Sequence, residues 1–177
     1  NISSFLAGEG LDGRHALLML DFDNFKAVND TLGHARGDQL LVSFANGVRR
    51  LFRSGDYLSR IGGDEYMLFI KNTGEDNVAQ DKAEALREEM AGLSRKLGIP
   101  VSISVGIAIY ARDGETFETL YRAADEALYH VKRSGKNAIS FFSVPLHAEQ
   151  EELRLEPEED DELCDMDGMC DNKPDGE

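Results

Sequence analysis

Apolar and polar positions divide the chain into short, well-marked segments. Ala16-Leu17-Leu18-Met19-Leu20 is apolar throughout, as a central strand covered on both faces would be. It gives way to Asp21-Phe22-Asp23, which puts acids at the exit of a buried strand. A short helical stretch through Asn29 and a polar, glycine-bearing turn over Thr31–Gly37 come next. A helix then carries Leu40, Leu41, Phe44, Val48, Leu51 and Phe52 on one stripe. Two β runs, Tyr57–Ile61 and Tyr66–Ile70, flank Gly62-Gly63-Asp64-Glu65, which reads as a hairpin tip.

Leu86, Met90, Leu93 and Leu97 share a face in a predicted helix over Val78–Leu97, ended by Gly98 and Pro100. Val101–Tyr110 alternates cleanly. Val101, Ile103, Val105, Ile107 and Ile109 line one face; the small residues Ser102, Ser104, Gly106 and Ala108 line the other, inviting close packing by a helix or ligand. A last helix over Phe117–Arg133 turns Phe117, Leu120, Ala124, Ala127, Leu128 and Val131 inward. Gly135 stops it, and Ala138–Phe142 forms a final strand. Strands joined both by helices and by a hairpin predict an α+β fold with helices packed on the sheet.

Charge is distributed unevenly over the 177 residues, and this separates a body from a tail. Residues 145–177 hold 14 acidic and 2 basic side chains, a net of −12 within a total of −15. The nearly neutral body offers no broad basic field for DNA or an anionic membrane, so a bound nucleotide must be held locally. The acidic stretch lacks an apolar period, cannot bury enough surface to offset chain entropy, and is expected to be a mobile tail or linker from residue 144 onward. Asp165-Met166-Asp167-Gly168 faintly resembles a calcium loop, but its glycine comes two positions early. Both cysteines, Cys164 and Cys170, lie in this tail, which fits a reducing, cytoplasmic setting. No apolar run approaches the ~20 residues of a membrane span. The chain starts at Asn1 without Met and reads as part of a longer protein, whose other segments can include a membrane anchor.

Two strand ends carry the candidate chemistry. If the strands ending at Asp21 and Asp64 are neighbours, two carboxylates meet at one sheet edge, where they repel unless a cation joins them. Mg²⁺ commonly takes one or two carboxylates together with phosphate oxygens, and glycines let backbone approach a phosphate. Side-chain alternation lets only one of Asp64 and Glu65 face Asp21; one of them is the expected ligand and the other serves elsewhere. Gly-Gly-Asp-Glu also reads as a plain polar turn, and both readings stand on these residues alone.

At the level of motifs the chain resembles the GGDEF family over about residues 14–142. Asp21-Phe22-Asp23-Asn24-Phe25-Lys26-Ala27-Val28-Asn29-Asp30, with Gly33-His34 and Gly37-Asp38, is similar to the family's DxDxFKxxNDxxGHxxGD segment. Gly62-Gly63-Asp64-Glu65-Tyr66 matches GGDEF at four of five positions. Ala124-Asp125-Glu126-Ala127-Leu128-Tyr129, then Lys132, Gly135 and Asn137, matches a late family motif.

The resemblance implies a largely antiparallel sheet wrapped by helices, like the nucleotidyl cyclase and polymerase palm, in an N-terminally shortened domain over residues 1–143. It further implies a diguanylate cyclase in which two domains, each holding GTP, face each other as a homodimer and form cyclic di-GMP. Asp21, Asp64 and the Phe22 carbonyl would hold Mg²⁺ or Mn²⁺, and Glu65 matches a position needed for activity. Asn29 and Asp38 match guanine-reading positions. Phe25, His34, Gly62 and Gly63 match the nucleotide pocket; Lys26, Lys132 and Lys136 match positions near the triphosphate. Arg53 and Asp56 match the RxxD site at which product inhibits. Read without the family, Asp38 is an acid at a helix start and the lysines are surface residues that suit helix ends. Two positions depart from the pattern: Tyr66 replaces the usual Phe and Lys136 the usual Arg, which keeps charge but loses the bidentate fork.

Overall fold

The computed structural model describes residues 2–8 and 13–143. The acidic tail and both cysteines lie outside them. The chain runs α1 (Ile2–Leu6), β1 (Ala16–Asp23), α2 (Phe25–Leu32), α3 (His34–Leu51), β2 (Tyr57–Arg60), β3 (Glu65–Ile70), α4 (Asp76–Leu97), β4 (Ser102–Ile109), α5 (Phe117–Arg133) and β5 (Ile139–Phe141). One five-stranded sheet has the order β2-β3-β1-β4-β5. β1 pairs antiparallel with β3 and β4, β2 pairs antiparallel with β3, and β4 pairs parallel with β5. This is the α+β, largely antiparallel architecture read from the apolar pattern and the family resemblance.

The period-2 rule explains how β1 comes to be apolar on both sides. Leu18, Leu20 and Phe22 join a core layer with Leu40, Leu41, Phe44 and Val48 of α3 and Ala83, Leu86 and Met90 of α4. Leu17 and Met19 point the other way, into a second layer with Leu120, Ala124 and Leu128 of α5 and Ile2 and Leu6 of α1. The sheet is covered on both faces, so its middle strand has no solvent side and no polar position before Asp21.

The small-residue face of β4 receives a helix. A Cβ built on Gly106 would lie 2.1 Å from the Ala124 carbonyl oxygen and 2.3 Å from the Leu128 amide nitrogen, so α5 rests directly on this glycine. A Thr116–Thr119 capping box starts α5, and basic His130, Lys132 and Arg133 occupy its last turn, as the helix dipole favours.

One predicted element is corrected. The polar turn expected over Thr31–Gly37 shrinks to Gly33 alone, which takes φ 82° between α2 and α3. Gly37 lies inside α3 and serves close packing, because a Cβ there would fall 2.0 Å from the Asn29 side-chain oxygen. Tyr66, the departure from Phe, is buried, stacks on Phe22 at 5.9 Å and donates its hydroxyl to the Leu41 carbonyl at 3.3 Å. The extra polar atom therefore has the partner that burial demands.

Candidate active site

Strand register brings the acids together. Asp21 pairs with Glu65 of β3 on one side and with Ser104 of β4 on the other; Asp23 pairs with Ser102. Residues directly opposite on antiparallel strands share a face, and alternation from Leu17 and Met19 places Asp21 and Asp23 on the α5 side. The expectation that Glu65 faces away from Asp21 is thereby corrected: Glu65 is its cross-strand partner. Asp64 lies before the first residue of β3, where strand alternation does not apply, and its carbonyl accepts the Phe22 amide at 3.3 Å. Its charge nevertheless acts on both Asp21 and Glu65.

The loop carrying Asp64 is shaped by Arg60, whose role the motif did not reveal. The guanidinium of Arg60 donates to the Gly62 carbonyl at 3.2 Å and to the Gly63 carbonyl at 2.5 and 3.1 Å. Gly62 makes room for a functional side chain: a Cβ there would lie 2.5 Å from a Glu65 carboxylate oxygen. Gly62→Ala is therefore expected to displace the flexible Glu65 carboxylate while leaving the fold intact. Thermal melting should shift little, and the activity proposed below should fall at least ~10-fold; full activity would show that Glu65 tolerates the displacement.

Lys132 projects from α5 into the acids. Its ammonium contacts the Asp21 carboxylate, the Asp21 and Phe22 carbonyls at 3.3 Å each, and the Asp23 carboxylate at 2.9 Å. A cation thus already stands among hard oxygen donors, including the Asp21 carboxylate and Phe22 carbonyl assigned to a metal from the family resemblance. Among the described residues, no group of three or more acidic, His or Cys side chains is arranged as a complete metal cage. A pair of carboxylates plus a carbonyl suits Mg²⁺ or Mn²⁺, whose remaining positions go to phosphate oxygens and water.

Burial raises the Asp21 carboxyl above its ordinary range; Lys132 opposes this, and the charges of Asp64 and Asp23 add to it. Glu65 is also raised, first by desolvation and then by Asp21, Asp64 and Asp125. For Asp23 burial acts upward as well, but hydrogen bonds from Ser102, Lys132 and Ser104 outweigh it and the net direction is downward.

On the other side of the sheet edge, α2 and α3 present the candidate base-reading residues. Asn29 is half-buried against Gly37, and Asp38 follows on the exposed surface of α3. His34, the first residue of α3, and Lys26 are exposed. Phe25 is a packing residue, its ring edge-on to Phe22 at 5.7 Å. Lys136, at φ 65°, donates to the Asn24 side chain at 2.7 Å and so spans from the α5–β5 turn to the start of α2.

Arg53 and Asp56 border a cleft of about 300 Å³ together with Arg49 and Tyr57. The Asp56 carboxylate accepts the Arg53 amide at 3.0 Å and the Lys71 amide at 3.1 Å, so it also closes the turn leading into the hairpin.

The fold agrees with comparisons to known proteins. The family model described as "Diguanylate cyclase, GGDEF domain" matches residues 7–138. The chain belongs to the GGDEF domain family, the catalytic domain of diguanylate cyclases. It is 41% identical over 148 residues, 81% of its own length, to the bifunctional diguanylate cyclase/cyclic di-GMP phosphodiesterase MucR of Pseudomonas aeruginosa, of which it covers 21%. It is 36% identical over 128 residues, 71% of its length, to diguanylate cyclase A of Treponema denticola, of which it covers 34%. The chain thus spans about a fifth to a third of these relatives. Among solved structures, the GGDEF domain of YfiN (TpbB) from P. aeruginosa superposes with a TM-score of 0.73 at 29% identity, covering 81% of this chain and 92% of that one. The GGDEF domain of DgcB from Caulobacter crescentus, in complex with c-di-GMP, gives a TM-score of 0.70 at 26% identity, covering 79% and 85%.

Proposed function

We propose that this domain is a diguanylate cyclase: two copies, each holding one GTP, join them into cyclic di-GMP and release two pyrophosphates. The observation that carries the proposal is the meeting of Asp21, Glu65 and Asp64 at one sheet edge, with an ammonium already among the oxygens. Asp21, Asp64 and the Phe22 carbonyl would hold Mg²⁺ or Mn²⁺, which supplies charge neutralisation at the reacting phosphate and lowers the pKa of a coordinated hydroxyl. The protein's part is positioning. Lys26, Lys132 and Lys136 offer positive charge to the triphosphate, and Glu65 places a further carboxylate beside Asp21. The ribose 3′-hydroxyl of one nucleotide attacks the α-phosphate of the other across a homodimer, and each pyrophosphate leaves in turn. Release of pyrophosphate from GTP and Mg²⁺ tests the reading; none from the dimeric protein would sink it.

Guanine selection follows from Asn29 and Asp38. A carboxylate accepts from both guanine N1–H and the 2-amino group, whereas adenine N1 has no proton to give. Asp38→Asn is expected to lower the preference for GTP over ATP at least ~10-fold, since the amide cannot accept from both guanine N1–H and the 2-amino group as the carboxylate does. Competition binding of the two nucleotides measures it, and an unchanged ratio would place recognition elsewhere. Arg53 and Asp56 form the proposed inhibitory site for cyclic di-GMP, an arginine fork and an acid at one cleft.

The shifted carboxyls give a pH test. Asp21 and Glu65 have raised folded values, so the folded state binds the extra protons. Their contribution to stability is greatest below the ordinary carboxylate range and declines as pH rises through the raised values. Asp23 acts oppositely: its contribution is present above the ordinary value and is lost as pH falls through the lowered one. Burial is the main cause that raises Asp21 and Glu65, the neighbouring acids add to it, and a divalent cation favours the ionised form of both. The gap between melting temperatures with and without Mg²⁺ should therefore widen as pH rises through that window; a constant gap contradicts a cation at these acids.

A second reading is a module that binds GTP or cyclic di-GMP without turnover. It is favoured by the two departures from the family pattern, Tyr66 and Lys136, the second of which loses the bidentate fork toward phosphate. Tight nucleotide binding with no pyrophosphate release distinguishes it.

A further inference from the structure

Asp23 is the most deeply buried acid of the site, at 2% exposure, and none of the roles proposed above uses it. Its carboxylate is fully engaged. Oδ1 accepts from the Ser104 hydroxyl at 2.7 Å and the Lys132 ammonium at 2.9 Å. Oδ2 accepts from the Ser102 hydroxyl at 2.6 Å and the Asn137 amide at 3.0 Å. Four donors from β4, α5 and the α5–β5 turn thus converge on one residue of β1. Asn137 is clamped from its other side, since Arg87 of α4 donates to its carbonyl at 2.8 Å and its side-chain oxygen at 3.2 Å.

We propose that Asp23 is a positioning residue for the phosphate-binding lysines: it anchors the Lys132 ammonium independently of Asp21 and fixes the turn that carries Lys136. The need for a second anchor comes from the site itself. Lys132 leans on the Asp21 carboxylate and the Phe22 carbonyl, the groups assigned to the divalent cation. Two cations cannot share those oxygens without repulsion, so a bound metal takes Asp21 from the lysine. Asp23 remains. It is buried behind two serines, charged, and already within hydrogen-bond distance, so Lys132 stays tethered beside the triphosphate instead of swinging into solvent. The α5–β5 turn gains in the same way. Lys136 and Asn137 both sit at positive φ, 65° and 48°, and the Asn137 amide bond to Asp23 pins this unusual backbone.

The inference rests on the reading that Lys132 faces the triphosphate, and a double-mutant cycle separates the two. Binding of a non-reactive GTP analogue with Mg²⁺ is measured by calorimetry on the whole chain. Lys132→Met should weaken it. Asp23→Asn, which keeps shape but loses charge, should weaken it about tenfold, the scale of a charged hydrogen bond. In the Lys132→Met background the same change should cost less than about twofold, because residues that act through one another are not additive. Should Asp23→Asn fail to fold, Ser102→Ala removes one of its supports: a loss of about threefold should likewise vanish without Lys132. Equal losses in both backgrounds overturn the inference, as does a lowered melting temperature with unchanged affinity. An unaltered affinity in Lys132→Met removes the phosphate role of the lysine and, with it, the role of Asp23.

Discussion

Asp21→Ala is expected to abolish cyclic di-GMP formation, by roughly 10³-fold or more, while leaving the fold in place. The two halves of this expectation have separate physical grounds. In the proposed reaction turnover depends on charge placed where the α-phosphate reacts, and Asp21 is the carboxylate that closes the strand and faces Glu65 across the register. Stability does not depend on its ionised form. Burial and the neighbouring acids raise its carboxyl, so ionised Asp21 costs the folded state. Its loss also leaves Lys132 bonded to Asp23 at 2.9 Å. Pyrophosphate release and thermal melting on the same preparation check both halves. Activity within about tenfold of the parent would show that the reaction does not use this site. Asp64→Ala should behave alike.

Gly106→Ala should have the largest effect on stability, about 3 kcal/mol, or roughly 10 °C in melting temperature for a domain of this size. The added methyl meets backbone atoms of α5 at 2.1 and 2.3 Å, and backbone within a helix cannot rotate aside as a side chain can. Relief requires α5 to lift from β4. That movement would also withdraw Lys132, so nucleotide affinity should fall together with the melting temperature. A melting temperature within a degree or two of the parent would mean that α5 does not rest on this glycine.

Much of the fold could be read from the chain because burial writes a regular code. The uninterrupted apolar run of β1 announced a strand covered on both sides, and the small residues alternating along β4 announced the helix that packs there. Glycines were harder, since one residue type serves two purposes. Gly33 takes a positive φ, whereas Gly37 sits in a helix to admit Asn29, and the pattern alone merged them into one turn.

The acids were legible as a group but not in their arrangement. Alternation within a regular strand holds for Glu65 and not for Asp64, which lies outside the strand, so their orientations depended on where β3 begins. Arg60 and Asp23 were missed as active parts of the site. Arg60 acts on backbone carbonyls, which leave no trace in side-chain pattern, and Asp23 gathers partners 79 to 114 residues away. Asp23 does lie in the quoted motif, two residues after Asp21, and that spacing on a strand was the available signal that both acids share a face.

On the proposed function, the acids at this sheet edge serve to join two guanine nucleotides. The most direct test is to incubate the protein, at concentrations where it dimerises, with GTP, Mg²⁺ and pyrophosphatase, and to identify the nucleotide product by mass spectrometry. The expected product is cyclic di-GMP, absent when Asp21 or Asp64 is replaced by alanine. Dimeric protein that binds GTP yet returns it unchanged would contradict it.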